Sequence, residues 1–160
     1  MKLDALFSLS NLTVMPFWLL MIVLPRWRWT ERVMRSPLVA LLPALLYAAL
    51  VLPRFGAIFV AVSNPTLAGI VSILGTPEGA TIAWVHFLAF DLLAGRWAYL
   101  DSRERGISSL LMVPILFFVL MLGPIGFLLY LAVRGLYSLR AGRAAPARPL
   151  RDSKTDLSEA

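Results

Sequence analysis

Two uncharged apolar runs, residues 5–25 and 106–133, constrain this chain more than anything else in it. A helix needs ~20 apolar residues to cross ~30 Å of hydrocarbon, and each run is long enough. The rest of the composition agrees: of 160 residues, 59% are hydrophobic and only 15% charged, with a mean hydropathy of +0.79. A water-soluble domain of this size would leave large apolar patches exposed, so lipid must be part of the solvent. Secreted toxins, collagens and disordered chains are excluded. The net charge of +6 is distributed between hydrophobic spans, which points to anionic lipid headgroups and away from nucleic acid. With no cysteine, disulfides, thiolate nucleophiles, Cys-ligated zinc and iron–sulfur clusters are ruled out.

Punctuation along the chain predicts an all-α membrane bundle. The first span is 5–25; retention rather than cleavage as a signal peptide follows from the interfacial run Pro25-Arg26-Trp27-Arg28-Trp29 and the lack of a small-x-small site. Ser36-Pro37 starts the second span, 37–62, with a kink expected at Pro53 and Arg54 snorkelling near its far end. Asn64-Pro65 opens a short helix, 65–74, that spans about half a bilayer and is therefore interfacial or re-entrant. Thr76-Pro77-Glu78 begins the third span, 77–100, and the fourth occupies 108–133, bent by Pro114 and Gly123-Pro124-Ile125-Gly126. The membrane domain is 1–139, and 140–160 reads as a disordered basic tail. A five-span alternative lets 55–75 cross separately, at the cost of Ser63-Asn64-Pro65 near the midplane. Four spans divide the cations seven against eight, Arg134 and the tail opposing the first-loop arginines, so charge does not orient the chain.

Ionisable side chains at membrane depth are expensive and mark candidate sites. The third span carries His86, Asp91, Arg96 and Asp101 beside Trp84, Trp97 and Tyr99. With His86 at zero and ~100° per residue, Asp91 falls near ~+140°, Arg96 near ~−80° and Asp101 near ~+60°. These groups share no face, so their partners must come from other helices, with Ser10, Asn11, Thr13, Tyr47, Asn64 and Tyr130 as candidates. His86 is either a general acid or base or a hydrogen-bonded buried imidazole. Asp91 either acts chemically or pairs with an arginine. Arg96 and Asp101 belong either to a site or to an interfacial charge cluster. One histidine with carboxylates at these angles has no metal-ligand spacing, and no cofactor is expected.

The segment His86-Phe87-Leu88-Ala89-Phe90-Asp91-Leu92, followed by Gly95-Arg96-Trp97 and Asp101, resembles the signature of the plant and bacterial membrane family that includes neoxanthin synthase. Leu9-Ser10-Asn11-Leu12, Pro16-Phe17-Trp18, Asn64-Pro65, Gly75-Thr76-Pro77-Glu78-Gly79-Ala80 and Gly123-Pro124-Ile125-Gly126 also look like family features. The resemblance covers about residues 6–134 and implies a four-span membrane protein. It further implies an isomerisation in which an epoxide opens and a neighbouring carbon loses a proton, acting on a carotenoid or other isoprenoid lipid. On that reading His86 and Asp91 are the acid–base pair. Arg96 pairs with Asp91 or stabilises developing charge, while Asn11, Trp84 and Trp97 contact substrate. The non-catalytic alternative is a protein that binds such a lipid or stabilises a membrane complex; a transporter lacks inverted repeats. Expected partners are membrane lipids and an isoprenoid or carotenoid ligand, an oligomer is compatible with the sequence, and short loops with an arginine-rich tail point to a bacterial cytoplasmic membrane.

Overall fold

The computed structural model describes residues 2–144 as eight α-helices with no strand among the described residues. The first, α1 (Leu3–Val23), contains Pro16 and buries Ser10, Thr13, Val14, Trp18 and Met21. Its hydroxyls are satisfied within the helix, Ser10 Oγ donating to the Phe7 carbonyl and Thr13 Oγ1 to the Ser10 carbonyl, each at 2.6 Å. Lipid offers no other partner for such groups. A tight turn leads to the short polar helix α2 (Arg28–Arg35), tied back to α1 by Thr30 Oγ1, which donates to the Leu24 carbonyl at 2.8 Å.

Ser36 caps the next element by accepting from the Leu38 N–H, with Pro37 in the first turn. Helical backbone then runs from Pro37 to Ser63, comprising α3 (Leu41–Val51), a tight turn at Leu52–Arg54 and α4 (Phe55–Ser63). Pro53 lies in that turn, where it cannot donate to the helical ladder. Thr66, rather than Asn64, caps the short helix α5 (Leu67–Leu74) by accepting from the Gly69 N–H. Thr76 does the same for the long helix α6 (Pro77–Glu104), accepting from Gly79, and the two helices meet at 96°.

The stretch 108–133, expected to cross as one bent helix, is two helices: α7 (Ser109–Leu122) and α8 (Pro124–Ala144). Gly123, at φ +24°, reverses the chain in a region open to glycine. A Cβ at Gly126 would overlap the backbone of Phe118 and Val119, so α8 folds back directly onto α7 as a helical hairpin. Its far end is fastened where α6 ends: Arg134 Nε donates to Asp101 at 2.9 Å and Arg105 to Ser138 at 3.2 Å. The expected disordered tail lies, beyond Ala144, outside the described residues.

At the centre, α6 runs parallel to α1. Asn11 meets Trp84 near their starts, and Tyr99 OH donates to the Pro25 carbonyl at 2.8 Å near their ends. Gly95 faces the Trp18 indole so closely that a Cβ would overlap the ring. Helices in lipid gain little from hydrophobic exclusion and depend on such small-residue contacts for close packing. Val14, Met21, Met34, Leu92, Tyr99, Met112, Leu116 and Tyr130 complete the core. Two stretches, α1 and Pro37–Ser63, are long and apolar enough to cross a membrane, and the bent pair α5 with α6 makes a third if counted as one. The protein is thus an all-helical membrane bundle.

The hairpin also revises the charge balance. Because α8 passes Arg105 at Ser138, Arg134 and Arg140 lie at the same end of the bundle as Arg26, Arg28, Arg32, Arg35, Arg96, Arg103 and Arg105, leaving, among the cations whose side chains are described, Lys2 and Arg54 for the other. The positive-inside rule then keeps the α2 end on the side from which the chain is inserted. As the chain has no cysteine, single cysteines report this directly: Arg28→Cys and Ser138→Cys should react with an impermeant maleimide from one side, and Ser63→Cys from the other. Labelling of Arg28→Cys and Ser138→Cys from opposite sides would overturn the hairpin. For packing, Gly95→Ala should destabilise the detergent-solubilised protein by about 1–3 kcal/mol through overlap with Trp18. Gly56→Ala, where a Cβ meets nothing within 4 Å, should hold or slightly raise its melting temperature.

Candidate functional site

Asp91 lies near the middle of α6, ~20 Å from either end at 1.5 Å per residue. Its carboxylate fits the notch of the hairpin turn, where a Cβ on Gly123 would collide with Oδ1. The α7 arm has only 14 residues, so it reaches Asp91 from the arginine-rich end and stops. Below the turn a recess of about 800 Å³ remains between α1, α6 and the hairpin tip, lined by Asn11, Met15, Trp84, His86, Phe87, Phe90, Asp91, Met121 and Ile125 among others. Among the described residues no hydrogen bond or opposite charge reaches the Asp91 carboxylate.

His86 lies ~7.5 Å below Asp91 along the helix axis and opens onto the same recess. Its imidazole sits in an aromatic sleeve, with ring centroids of Phe90 at 4.7 Å, Tyr47 at 5.3 Å and Phe87 at 6.2 Å. On its other side is a second cavity of about 580 Å³ between α3, α4, α5 and α6, reaching Arg54 and Glu78. The recess therefore has a carboxyl group above it and an imidazole to one side. These are the two side chains best suited to moving protons near neutral pH in an apolar space.

The other sequence-derived site residues divide cleanly. Asn11 and Trp84 line the recess and brace each other, Trp84 Nε1 donating to Asn11 Oδ1 at 3.2 Å; Asn11 Nδ2 donates to the Phe7 carbonyl at 3.0 Å, and Phe7 stacks on Trp84 at 5.6 Å. Arg96, expected to pair with Asp91 or stabilise developing charge, is turned elsewhere. Its guanidinium donates to the carbonyls of Met34 and, at 3.0 Å, Arg35, satisfying the C-terminal end of α2. Trp97 packs against Phe127 and Tyr130 at 5.4 and 5.5 Å beneath the Arg134 guanidinium, away from the recess.

Asp101 gathers Arg105 at 2.7 Å, Arg134 at 2.9 Å and the Tyr130 hydroxyl, joining α6 to α8. It stands one residue past the predicted span 77–100, among the arginines of the bundle's charged end. Burial alone would raise its carboxyl, but the hydrogen bonds from Arg105, Tyr130 and Arg134 outweigh that and hold it below the ordinary carboxylate range. Sequence reasoning placed Tyr130 among the bundle's polar partners and missed its bond to Asp101, because helical angle alone cannot say which helix faces which. Gly123 was legible only as a bend. The signal for its role is the Gly-Pro-x-Gly spacing, which permits both reversal and close packing.

Comparison with known proteins bears on the same segments. Residues 5–130 match the family described as ABA DEFICIENT 4-like. The chain is similar to Protein ABA DEFICIENT 4, chloroplastic, of Arabidopsis thaliana, with 28% identity over 115 residues, covering 66% of this chain and 51% of that protein. The chain thus matches about half the length of this curated relative. No solved structure matches.

The Asp101 cluster has a pH signature. A carboxyl held low stabilises the fold above the unfolded carboxylate range, and that stability is lost as pH falls through the folded value. Wild type should therefore melt well above Asp101→Asn at pH 7, and the gap should close below about pH 4. A gap independent of pH would show that the cluster contributes through packing alone.

Proposed function

Because the chain belongs to the ABA DEFICIENT 4-like family, we propose that it is a membrane enzyme that isomerises a carotenoid or other isoprenoid lipid held in the recess between α1, α6 and the α7–α8 hairpin. The observation that carries this reading is Asp91, a carboxylate without a polar partner among the described residues, facing the same apolar space as the one histidine. An unpaired carboxylate at membrane depth weakens a fold and is retained for chemistry. The recess suits a long apolar molecule entering from the lipid, since its walls are aromatic and aliphatic with few polar groups.

The reaction needs one proton given and one taken. A carbon–oxygen bond of an epoxide breaks while its oxygen gains a proton, and a neighbouring carbon–hydrogen bond breaks while a base accepts that proton. Atoms and charge balance without a co-reactant. Asp91 and His86 fill the two roles, and ~7.5 Å of axial separation leaves room for the reacting ring between them. Asn11, braced by Trp84, positions a substrate hydroxyl. On this reading the bilayer-spanning framework is three crossings, α1, α3 with α4, and the bent pair α5 with α6, with the α7–α8 hairpin re-entering beside them.

The test is a carotenoid-producing host that accumulates violaxanthin, with and without the protein, read by pigment chromatography. Neoxanthin or another isomer should accumulate with wild type. Asp91→Asn and His86→Gln should each lower its formation by ~100-fold or more, in line with loss of general acid–base catalysis, while remaining monodisperse in detergent. Turnover unchanged by Asp91→Asn would sink the assignment. An unaltered pigment profile, with pigment still co-purifying, would assign the protein to lipid binding.

A further inference from the structure

The two cavities have two lining residues in common, His86 and Phe87. Both are bordered by the one imidazole and the neighbouring phenyl ring. From there the second cavity continues along α6 toward Glu78, ~20 Å from Asp91 at 1.5 Å per residue. Its walls are aliphatic, and charge appears only at its far end, where Arg54 and Glu78 meet through a single contact of 3.5 Å with side chains 52% and 40% exposed. Such a pair is held loosely and keeps several donors and a carboxylate oxygen free. Ser72 and Thr76, also on this wall, already donate to the Gly69 and Ile73 carbonyls.

We infer that the second cavity is a binding site for the far half of a long isoprenoid chain, passing His86 and Phe87 and ending with a ring hydroxyl held between Arg54 and Glu78. This rests on the reading of Asp91 as the reacting end. The aliphatic walls select a hydrocarbon chain, and the distance selects a polyene over a single-ring terpenoid. The charged mouth selects a hydroxylated end, since Glu78 accepts the hydroxyl proton while Arg54 donates to its oxygen. The site forms between α6 and two helices, α4 and α5, that bury no residue, so a chain can enter sideways from the lipid. Phe87, 55% exposed, can swing with it.

Purified protein in detergent is incubated with zeaxanthin, which carries a hydroxyl on each ring, or with β-carotene, which has the same skeleton and none, and retained pigment is measured after gel filtration. Wild type should retain the diol about tenfold better, the equivalent of one well-made hydrogen bond to a charged group. Glu78→Gln, alone or with Arg54→Met, should lower diol retention several-fold and leave hydrocarbon retention unchanged, the remaining preference being the share that Asn11 contributes at the other ring. Ile58→Trp, filling the groove from α4, should reduce both. Equal retention of the two pigments by wild type, or diol retention unaffected by both Ile58→Trp and Glu78→Gln, would overturn the inference. Asp91→Asn should lose conversion while the diol keeps its advantage over the hydrocarbon, because Arg54 and Glu78 are untouched. Diol selectivity in a protein that converts nothing would leave the groove standing and remove the catalytic reading alone.

Discussion

The reversal at Gly123 is the constraint on which the rest depends. In lipid a break in helical hydrogen bonding is tolerated only where protein covers the freed groups or a cavity receives them. Gly123 meets that condition by turning at φ +24° against Asp91, and Gly126 meets it by letting α8 lie on the backbone of α7. A side chain at either position would push the arms apart or displace the carboxylate. Since α7 ends at Leu122, the hairpin fills one half of the bundle's depth beside α6 and leaves the other half open. The recess beneath the turn follows from that shortfall.

The polar groups of α6 then separate by what surrounds them. Arg96 and Asp101 are committed, one to carbonyls at the end of α2, the other to two arginines and a tyrosine. Each is a tie between elements near the arginine-rich end. Surface ion pairs of this kind contribute little individually, but a cluster sharing one carboxylate restrains α8 against α6. His86 and Asp91 have no such commitment. Their surroundings are aromatic rings, a glycine turn and open apolar space, an arrangement that costs stability.

The helix starts were legible wherever a capping residue preceded a proline or an apolar run, as at Ser36-Pro37 and Thr76-Pro77, because capping is a local event. Asn64-Pro65 misled by two residues, since Thr66 offered an equally good cap closer to the helix. The last apolar stretch defeated a length argument: hydropathy counts residues and is blind to a chain that turns back on itself. The same blindness divided the cations evenly between two faces. His86 and Asp91 were identifiable from depth and residue type, but angular arithmetic on α6 alone set them apart. Both open onto one space because the recess beneath the hairpin tip is wide. Arg96 read as a partner for Asp91 on opposite charge alone, although five residues on one helix turn the two side chains to different faces, and α2 lay close enough to claim it.

Stability and openness occupy different halves of the molecule. The large fully buried side chains, Trp18, Met21, Met34, Leu92, Tyr99, Met112, Leu116 and Tyr130, surround the stretch of α6 from Leu92 to Ser102, where Gly95 admits Trp18 and the Asp101 cluster closes the end. The stretch from Gly79 to Phe87 buries Gly79, Thr81 and Val85, but on the side of the second cavity it is backed by α5 and, beyond that, α4, neither of which buries a residue. Local opening follows contact density, so α4 and α5 can yield without disturbing the packed end. Asp91 stands at the boundary. Its backbone belongs to the packed half and its carboxylate faces the open one, which is the placement the proposed catalytic role calls for, a fixed group beside a space that can open.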